Sequence, residues 1–257
     1  MLNIVVPMAG RGSRFADAGY TLPKPLIPLH GVPMIQLVIA NLTPSVPHRF
    51  HFLIQRSHDV EHGLAARLRG WAPGASVTMI DSVTEGAACT VLLAKAMIDT
   101  ADALMIANCD QFIDADIDAY LAAQGDADGL IMTMFADDPK WSFVRRDAAG
   151  RVVQVVEKEV VSNEATVGIY NFRRGSDFVR AAEAMIAADQ RVNGEFYVAP
   201  AYDQLIARGA RIECFGIGGL GAGMHGIGVP VDLDAFLATE VSRKAVAALL
   251  AAKGGGQ

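Results

Sequence analysis

LNIVV (2–6) runs directly into PMAGRGSRFADAGYTLPKPLIPLHGVPMI (7–35). A short apolar run gives way at once to Gly10, Gly12, Arg14 and Lys24-Pro25. The apolar run predicts a buried first strand, and the glycines predict a turn leaving it. Open α/β sheets hold ligands beyond the carboxyl ends of their strands. Glycine backbone can approach a ligand closely, and free amides there can face phosphate oxygens. Arg14 adds a planar cation suited to phosphate, Lys24 adds a point charge, and Pro25 stiffens its neighbourhood. Two familiar phosphate loops are excluded. No GK[ST] closes the segment, and Phe15 stands where the dinucleotide fingerprint needs a third glycine. A plain strand-to-helix turn explains the glycines alone about equally well; the two cations favour an anion cradle.

Beyond this stretch, apolar runs alternate with helical patterns. RFHFLI (49–54), VTMI (77–80), ALMIA (103–107) and DGLIMTMF (128–135) read as strands. Amphipathic stretches near 33–42, 60–69, 86–98 and 116–123 separate them. Continuous apolar strands between crossover helices predict a doubly wound α/β core. SFVRRDAAGRVVQVVEK (142–158) alternates about a turn and predicts a hairpin. TVGIYNF (166–172) and RIECF (211–215) predict further strands. Helices are expected near 176–187, 195–207 and 231–251, and the glycine-dense GIGGLGAG (216–223) is expected to be a loop. The expected organisation is one domain over 1–251. Its core spans about 1–135 and 211–251, a small β-rich lobe spans about 136–210, and 252–257 form a disordered tail.

The chain has 257 residues, 52% hydrophobic and 19% charged, with a formal net charge of −6. This is the composition of a packed globular chain and not of a disordered one. An acidic balance does not suit nucleic acid or a membrane surface as a partner. No apolar run approaches the ~18 residues of a membrane span. The N-terminus lacks a signal-peptide pattern, which places the chain in the cytoplasm. Cys89, Cys109 and Cys214 are widely spaced and show no zinc-ligand pattern, so they are expected as free thiols.

The chemistry of the remaining motifs is legible only in combination. Asp110 in MIANCDQF (105–112) follows a core strand, where a lone aspartate is usually a turn residue. SVTEGAACTVLLAK (82–95) reads as a turn entering a helix, with Thr84 as N-cap. Glu157-Lys158 reads alone as a solvated charge pair. Asp232 suits the first turn of a helix.

Taken together, Gly10-Arg11-Gly12-Ser13-Arg14-Phe15, Lys24-Pro25-Leu26 and Gly31-Val32-Pro33-Met34-Ile35 resemble the signature of sugar-1-phosphate nucleotidyltransferases. The resemblance runs from Asn3 to about Leu237. It implies a Rossmann-like mixed sheet with flanking helices and a substrate lobe. It also implies transfer of NMP from a nucleoside triphosphate to a phosphorylated acceptor, with release of pyrophosphate. Ala9, Gly10, Gly12 and Ser13 would bind the nucleotide, with Arg14 and Lys24 as the catalytic cations. Glu85, Gly86 and Ala87 would meet the base edge through main-chain groups. Glu157, Lys158 and Glu195 would bind the acceptor. Asp110 would hold Mg2+, with Asp232 the nearest acid to a second ligand position that Gly226 leaves empty. His225 reads equally as a ligand contact and as packing. "NCDQF", "PKWSF", "NEATVGIYNF" and "NGEFYVAP" look most like a subgroup similar to heptose 1-phosphate guanylyltransferases and to cytidylyltransferases of capsule and lipopolysaccharide precursors. A cytidylyltransferase acting on a non-sugar phosphate, an NDP-sugar glycosyltransferase and a non-catalytic nucleotide-binding protein are the alternatives. The base, the acceptor and homo-oligomerisation stay open.

Overall fold

A computed structural model of the chain describes residues 1–10 and 12–254. Its strands are β1 (Leu2–Met8), β2 (Pro28–Leu29), β3 (Val32–Pro33), β4 (His48–Gln55), β5 (Ser76–Ile80), β6 (Ala103–Ala107) and β7 (Gln111–Ile113). They continue with β8 (Gly129–Phe135), β9 (Ser142–Arg146), β10 (Val152–Glu157), β11 (Glu164–Phe172), β12 (Ile212–Leu220) and β13 (Gly223–Gly226). The main sheet runs β5-β4-β1-β6-β11-β8-β12-β13-β7. Strands β5, β4, β1 and β6 are mutually parallel, while β11 runs antiparallel to both β6 and β8. The sheet is therefore mixed, as expected.

Strand alternation divides the core into two layers. Ile4, Val6 and Met8 of β1 join Phe50, Phe52 and Ile54 of β4 in a cluster with the helix Met34–Leu42 and with Phe236. Val5, Leu53, Leu104 and Ile106 face the other way, against Val91, Phe178 and Tyr202. Because successive residues point to opposite faces, a strand apolar at every position must be covered on both. Within this apolar sheet, His51 Nε2 meets Asn3 Oδ1 at 2.9 Å and Nδ1 meets Ser76 Oγ at 2.6 Å. These bonds tie three parallel strands together. Burial, aided by Arg49, lowers the His51 pKa to about 4, so the ring is neutral.

Several expectations are corrected. β11, which falls within the span 136–210, belongs to the middle of the main sheet. What stands outside the main run of strands is the hairpin β9–β10, which meets β11 at Ala165–Phe143. The helix expected near 195–207 spans only Ala201–Ile206, and the preceding residues form a loop. The glycine-dense segment is not a loop: β12 continues to Leu220 and β13 starts at Gly223. Gly223 accepts a φ of +113°, and a Cβ there would lie 1.6 Å from the Ile217 carbonyl oxygen. The glycines thus allow two backbones to touch. The last helix is two, Pro230–Leu237 and Glu240–Gly254, so the helix enters the expected tail. Residues 255–257 of that tail lie outside the described residues, as does Arg11 of the glycine loop.

Candidate active site

β1 ends at Met8, and the chain turns through Gly10 and Gly12 into the short helix Ser13–Asp17. Gly12 has φ +62°, a left-handed conformation that costs an L side chain about 1–2 kcal/mol. This turn puts Arg14, which is exposed, on the wall of a cavity of about 610 Å³. The cavity is also lined by Ala9, Gly10, Gly12, Ser13, Lys24, Gly86, Ala87, Asp110 and Glu195. Pro7 and Gly228 line it too, so residues 221 positions apart in sequence meet at one cavity.

Lys24 lies at the start of a 3₁₀ turn, Lys24–Leu26. Its Nζ donates to Asp110 Oδ2 at 2.8 Å, with the two side chains 21% and 29% exposed. Burial pulls the ammonium pKa down, but Asp110 and the Cys109 thiol raise it by more, so it titrates above the ordinary lysine range. Asp110 lies three residues beyond the end of β6 and immediately before β7. Its carbonyl accepts from Ile227 N at 3.0 Å, which fastens it to the segment after β13. A Cβ on Gly228 would come within 2.5 Å of Asp110 Oδ2. Gly228 thus preserves the space around this carboxylate, a role the sequence reading missed although it noted the neighbouring Gly226. On the far side of the glycine loop a cavity of about 380 Å³ shares Gly10, Gly12, Lys24 and Asp110 and adds His58 and His62.

Asp232 does not line either cavity. It packs beside Gly226, where a Cβ would sit 3.2 Å from Asp232 Oδ2. The carboxylate therefore approaches the backbone position that lacks an acid of its own. His225 is buried against Phe112 and Phe236, with ring centroids 6.3 and 5.2 Å away. Of its two readings the contacts favour packing. No group of three His, Cys, Asp or Glu residues able to cage a metal occurs among the described residues.

From the segment expected to meet the base, Val83, Thr84, Gly86, Ala87 and Thr90 line the larger cavity. Glu85 does not. It is 67% exposed and its carboxylate meets Arg191 at 2.6 Å. Thr84 is not the N-cap: the helix Ala87–Leu92 has Gly86 at that position, and Thr84 Oγ1 donates to the Gly86 carbonyl at 2.9 Å.

The acceptor candidates form a second cluster. Glu157 ends β10 and accepts from Ser142 Oγ. Burial raises its pKa despite that bond and the nearby Lys158. Lys158 has φ +58°, a strained left-handed backbone for a lysine. Its ammonium donates to Tyr197 Oη and lies 4.5 Å from that ring's centroid. The hydrogen bond to Tyr197 raises the Lys158 pKa. Tyr197 escaped the sequence reading.

The three cysteines are free; Cys109 is buried and the other two are half-buried. Burial pushes the Cys109 thiol up to about 11, which suits a packing residue. No helix among the described residues is long and apolar enough to cross a membrane.

Known proteins share this architecture. A nucleoside-diphosphate-sugar pyrophosphorylase from Vibrio cholerae RC9 superposes with a TM-score of 0.79 at 28% identity, over 92% of this chain and 100% of its own. The inositol-1-phosphate CTP transferase of T. maritima superposes with a TM-score of 0.70 at 14% identity, over 95% of this chain and 94% of its own. That second likeness concerns the fold. In sequence, the bifunctional protein GlmU of Ralstonia pickettii is 24% identical over 225 residues, 82% of this chain and 46% of that protein. The chain therefore spans about half the length of the curated relatives it matches. Residues 4–197, which hold the glycine loop, Lys24, Asp110 and Lys158, match the family described as "Nucleotidyl transferase". The chain belongs to the nucleotidyl transferase family.

Proposed function

We propose that the protein transfers NMP from a nucleoside triphosphate to a sugar 1-phosphate or a related phosphorylated metabolite. The observation that carries this reading is the convergence of Arg14, Lys24, Asp110 and Glu195 on one cavity at the ends of β1 and β6. In the reaction an acceptor phosphate oxygen bonds to the α-phosphorus. The bond from the α-phosphorus to the bridging oxygen breaks, and pyrophosphate leaves with that electron pair. The nucleophile is already an anion, so no general base is required. Positioning and charge stabilisation carry such a transfer. Arg14 and the glycine-loop amides hold the triphosphate, and Lys24 offsets charge at the α-phosphate and the departing pyrophosphate. Lys158 receives the acceptor phosphate, while Glu157 and Glu195 accept from acceptor hydroxyls. Gly86 and Ala87 leave room for a flat base.

The family implies a divalent ion, and the donor set suits magnesium. Asp110 presents a half-buried carboxylate in a space kept open by Gly228. Magnesium keeps several waters and rests on one or two carboxylates plus phosphate oxygens, so a three-acid cage is not required. When bound it neutralises phosphate charge. Asp110 is the first protein ligand in this reading. Asp232, drawn in against Gly226, is the second candidate. The products suit surface-polysaccharide precursor synthesis.

The test is a grid of ATP, CTP, GTP, UTP and dTTP against sugar 1-phosphates and non-sugar phosphates, read as pyrophosphate with magnesium present. Pyrophosphate that depends on both substrates is the expected result. Release of NDP from an NDP-sugar, or tight nucleotide binding with no turnover across the grid, overturns it.

A further inference from the structure

Glu195, Phe196 and Tyr197 are consecutive, yet they serve three different surroundings. Glu195 lines the nucleotide cavity, and Tyr197 holds the Lys158 ammonium. Phe196, between them, is buried with Ala88 and Met185. Its backbone is sewn to the base loop. Phe196 N donates to the Glu85 carbonyl at 2.9 Å, and Ala88 N donates to the Phe196 carbonyl at 3.0 Å. The approach is so close that a Cβ on Gly86 would lie 2.4 Å from the Phe196 carbonyl oxygen.

Arg191 closes this junction from outside. Its guanidinium meets Glu85 at 2.6 Å and Asp189 at 2.5 Å, and lies 4.2 Å from the centroid of the Phe196 ring. It also donates to the Gly194 carbonyl at 3.2 Å. Arg191 lines neither cavity. One side chain therefore spans the loop that faces the base and the turn that delivers Glu195 and Tyr197.

We propose that Arg191 is a positioning residue that couples occupancy of the base pocket to the acceptor-phosphate site, through the Glu85–Phe196 junction. The role rests on the nucleotidyl-transfer reading above. A base seated against Gly86 and Ala87 fixes the loop. Phe196 must then keep its two backbone bonds, and Tyr197 keeps Lys158 aimed at the incoming phosphate. Coupling of this kind is reciprocal, so a bound acceptor tightens nucleotide binding by the same factor. An isolated surface ion pair would contribute little. Here the pair bridges two loops that backbone bonds already hold in contact, so its effect is on their relative position.

Hydrogen exchange of the full chain tests this, with each of ATP, CTP, GTP, UTP and dTTP plus magnesium, and with magnesium pyrophosphate as the probe lacking a base. The expected result has two parts. A nucleotide that slows exchange in the glycine loop (10–26) also slows it by about fivefold or more, the low end of site coupling, in 193–200. Pyrophosphate slows only the glycine loop. In Arg191→Ala the glycine-loop response persists and the response at 193–200 disappears. Glu85→Gln, which keeps the Glu85 carbonyl and alters only an exposed carboxylate, gives the same loss without risk to folding. Equal protection of 193–200 in both variants and wild type, or protection by pyrophosphate alone, overturns the coupling. If no nucleotide protects the glycine loop, the nucleotidyl-transfer reading fails first and this role fails with it.

Discussion

Lys24 Nζ lies 2.8 Å from Asp110 Oδ2, joining two residues 86 positions apart where two cavities share a wall. The pair balances the site electrically before any phosphate arrives. Asp110 and Cys109 raise the ammonium pKa against the pull of burial, so the folded pKa exceeds the unfolded one. Its stabilising contribution is therefore complete at neutral pH and is lost only as pH climbs above the ordinary lysine range. Lys24 stays charged wherever an enzyme assay is run.

The first consequence is kinetic. Lys24→Ala and Arg14→Ala are each expected to lower kcat/KM at least ~100-fold, an electrostatic loss of roughly 3 kcal/mol. Arg14 is exposed, so its variant should melt with the wild type. Turnover within about threefold of wild type for either variant would remove the triphosphate role.

The metal assignment is tested through Gly228. Alanine there pushes against Asp110 Oδ2, the movable end of a side chain, so the fold should survive while the carboxylate is displaced. Gly228→Ala is expected to unfold near the wild-type temperature and lose at least about tenfold in kcat, or 1.4 kcal/mol. Asp110→Asn should be nearly inactive, Asp232→Asn about tenfold impaired, and chelation by EDTA should stop turnover until magnesium is restored. Calorimetry of magnesium with nucleotide present separates the two acids. Equal damage from Asp110→Asn and Asp232→Asn would make Asp232 a full ligand.

Lys158 offers a test that divides chemistry from strain. Lys158→Ala and Lys158→Gly both delete the ammonium and should raise KM for the acceptor while leaving nucleotide Kd unchanged by calorimetry. Only glycine relieves the left-handed φ of +58°. Lys158→Gly should therefore be about 1 kcal/mol more stable than Lys158→Ala in urea unfolding. Matching losses of nucleotide affinity would move Lys158 out of the acceptor site.

Asp203 gives a pH-dependent signature. It lies in the first turn of the helix Ala201–Ile206 and accepts from Val155 N at 2.7 Å, linking that helix to the strand that ends in Glu157. Burial raises its carboxyl pKa to about 6, although the Val155 amide opposes the shift. A folded pKa above the unfolded one means that the folded state binds more protons between roughly pH 4 and 6. Stability from this group should fall across that window as pH rises. Asp203→Asn should flatten that part of the profile of Tm against pH; an unchanged slope would place the titration elsewhere.

Gly86→Ala examines the junction between the base loop and Phe196. The new Cβ would meet backbone at 2.4 Å and would have to adopt φ +137°. Backbone cannot retreat as a side-chain tip can, so a loss of at least about 2 kcal/mol is expected in chemical unfolding. A variant as stable as wild type would show that the loop relaxes away from Phe196.

The sequence by itself determined the parts governed by local rules. Apolar runs marked β1, β4, β6 and β8 because strands buried on both faces are mostly apolar, and a shorter run marked the edge strand β5. Gly12 after β1 marked the turn leaving that strand, since its left-handed backbone favours glycine. Arg14, Lys24 and Asp110 were named from such contexts, and the structure gathers them. The tertiary structure alone decided what depends on contacts between distant segments. Nothing in the period of EATVGIYNF tells that β11 lies between β6 and β8, because strand order is set by packing and not by alternation. Glycine density in 216–223 read as a loop, yet those glycines let β12 and the start of β13 approach within contact of the backbone. Glu85 read as a base position through its main chain, and only the folded chain shows where its carboxylate goes: outward to Arg191, 106 residues away, whose guanidinium is fixed over the buried Phe196 ring. Side-chain direction at an exposed turn follows from the partner that folding brings there, and that partner is invisible until the chain has closed.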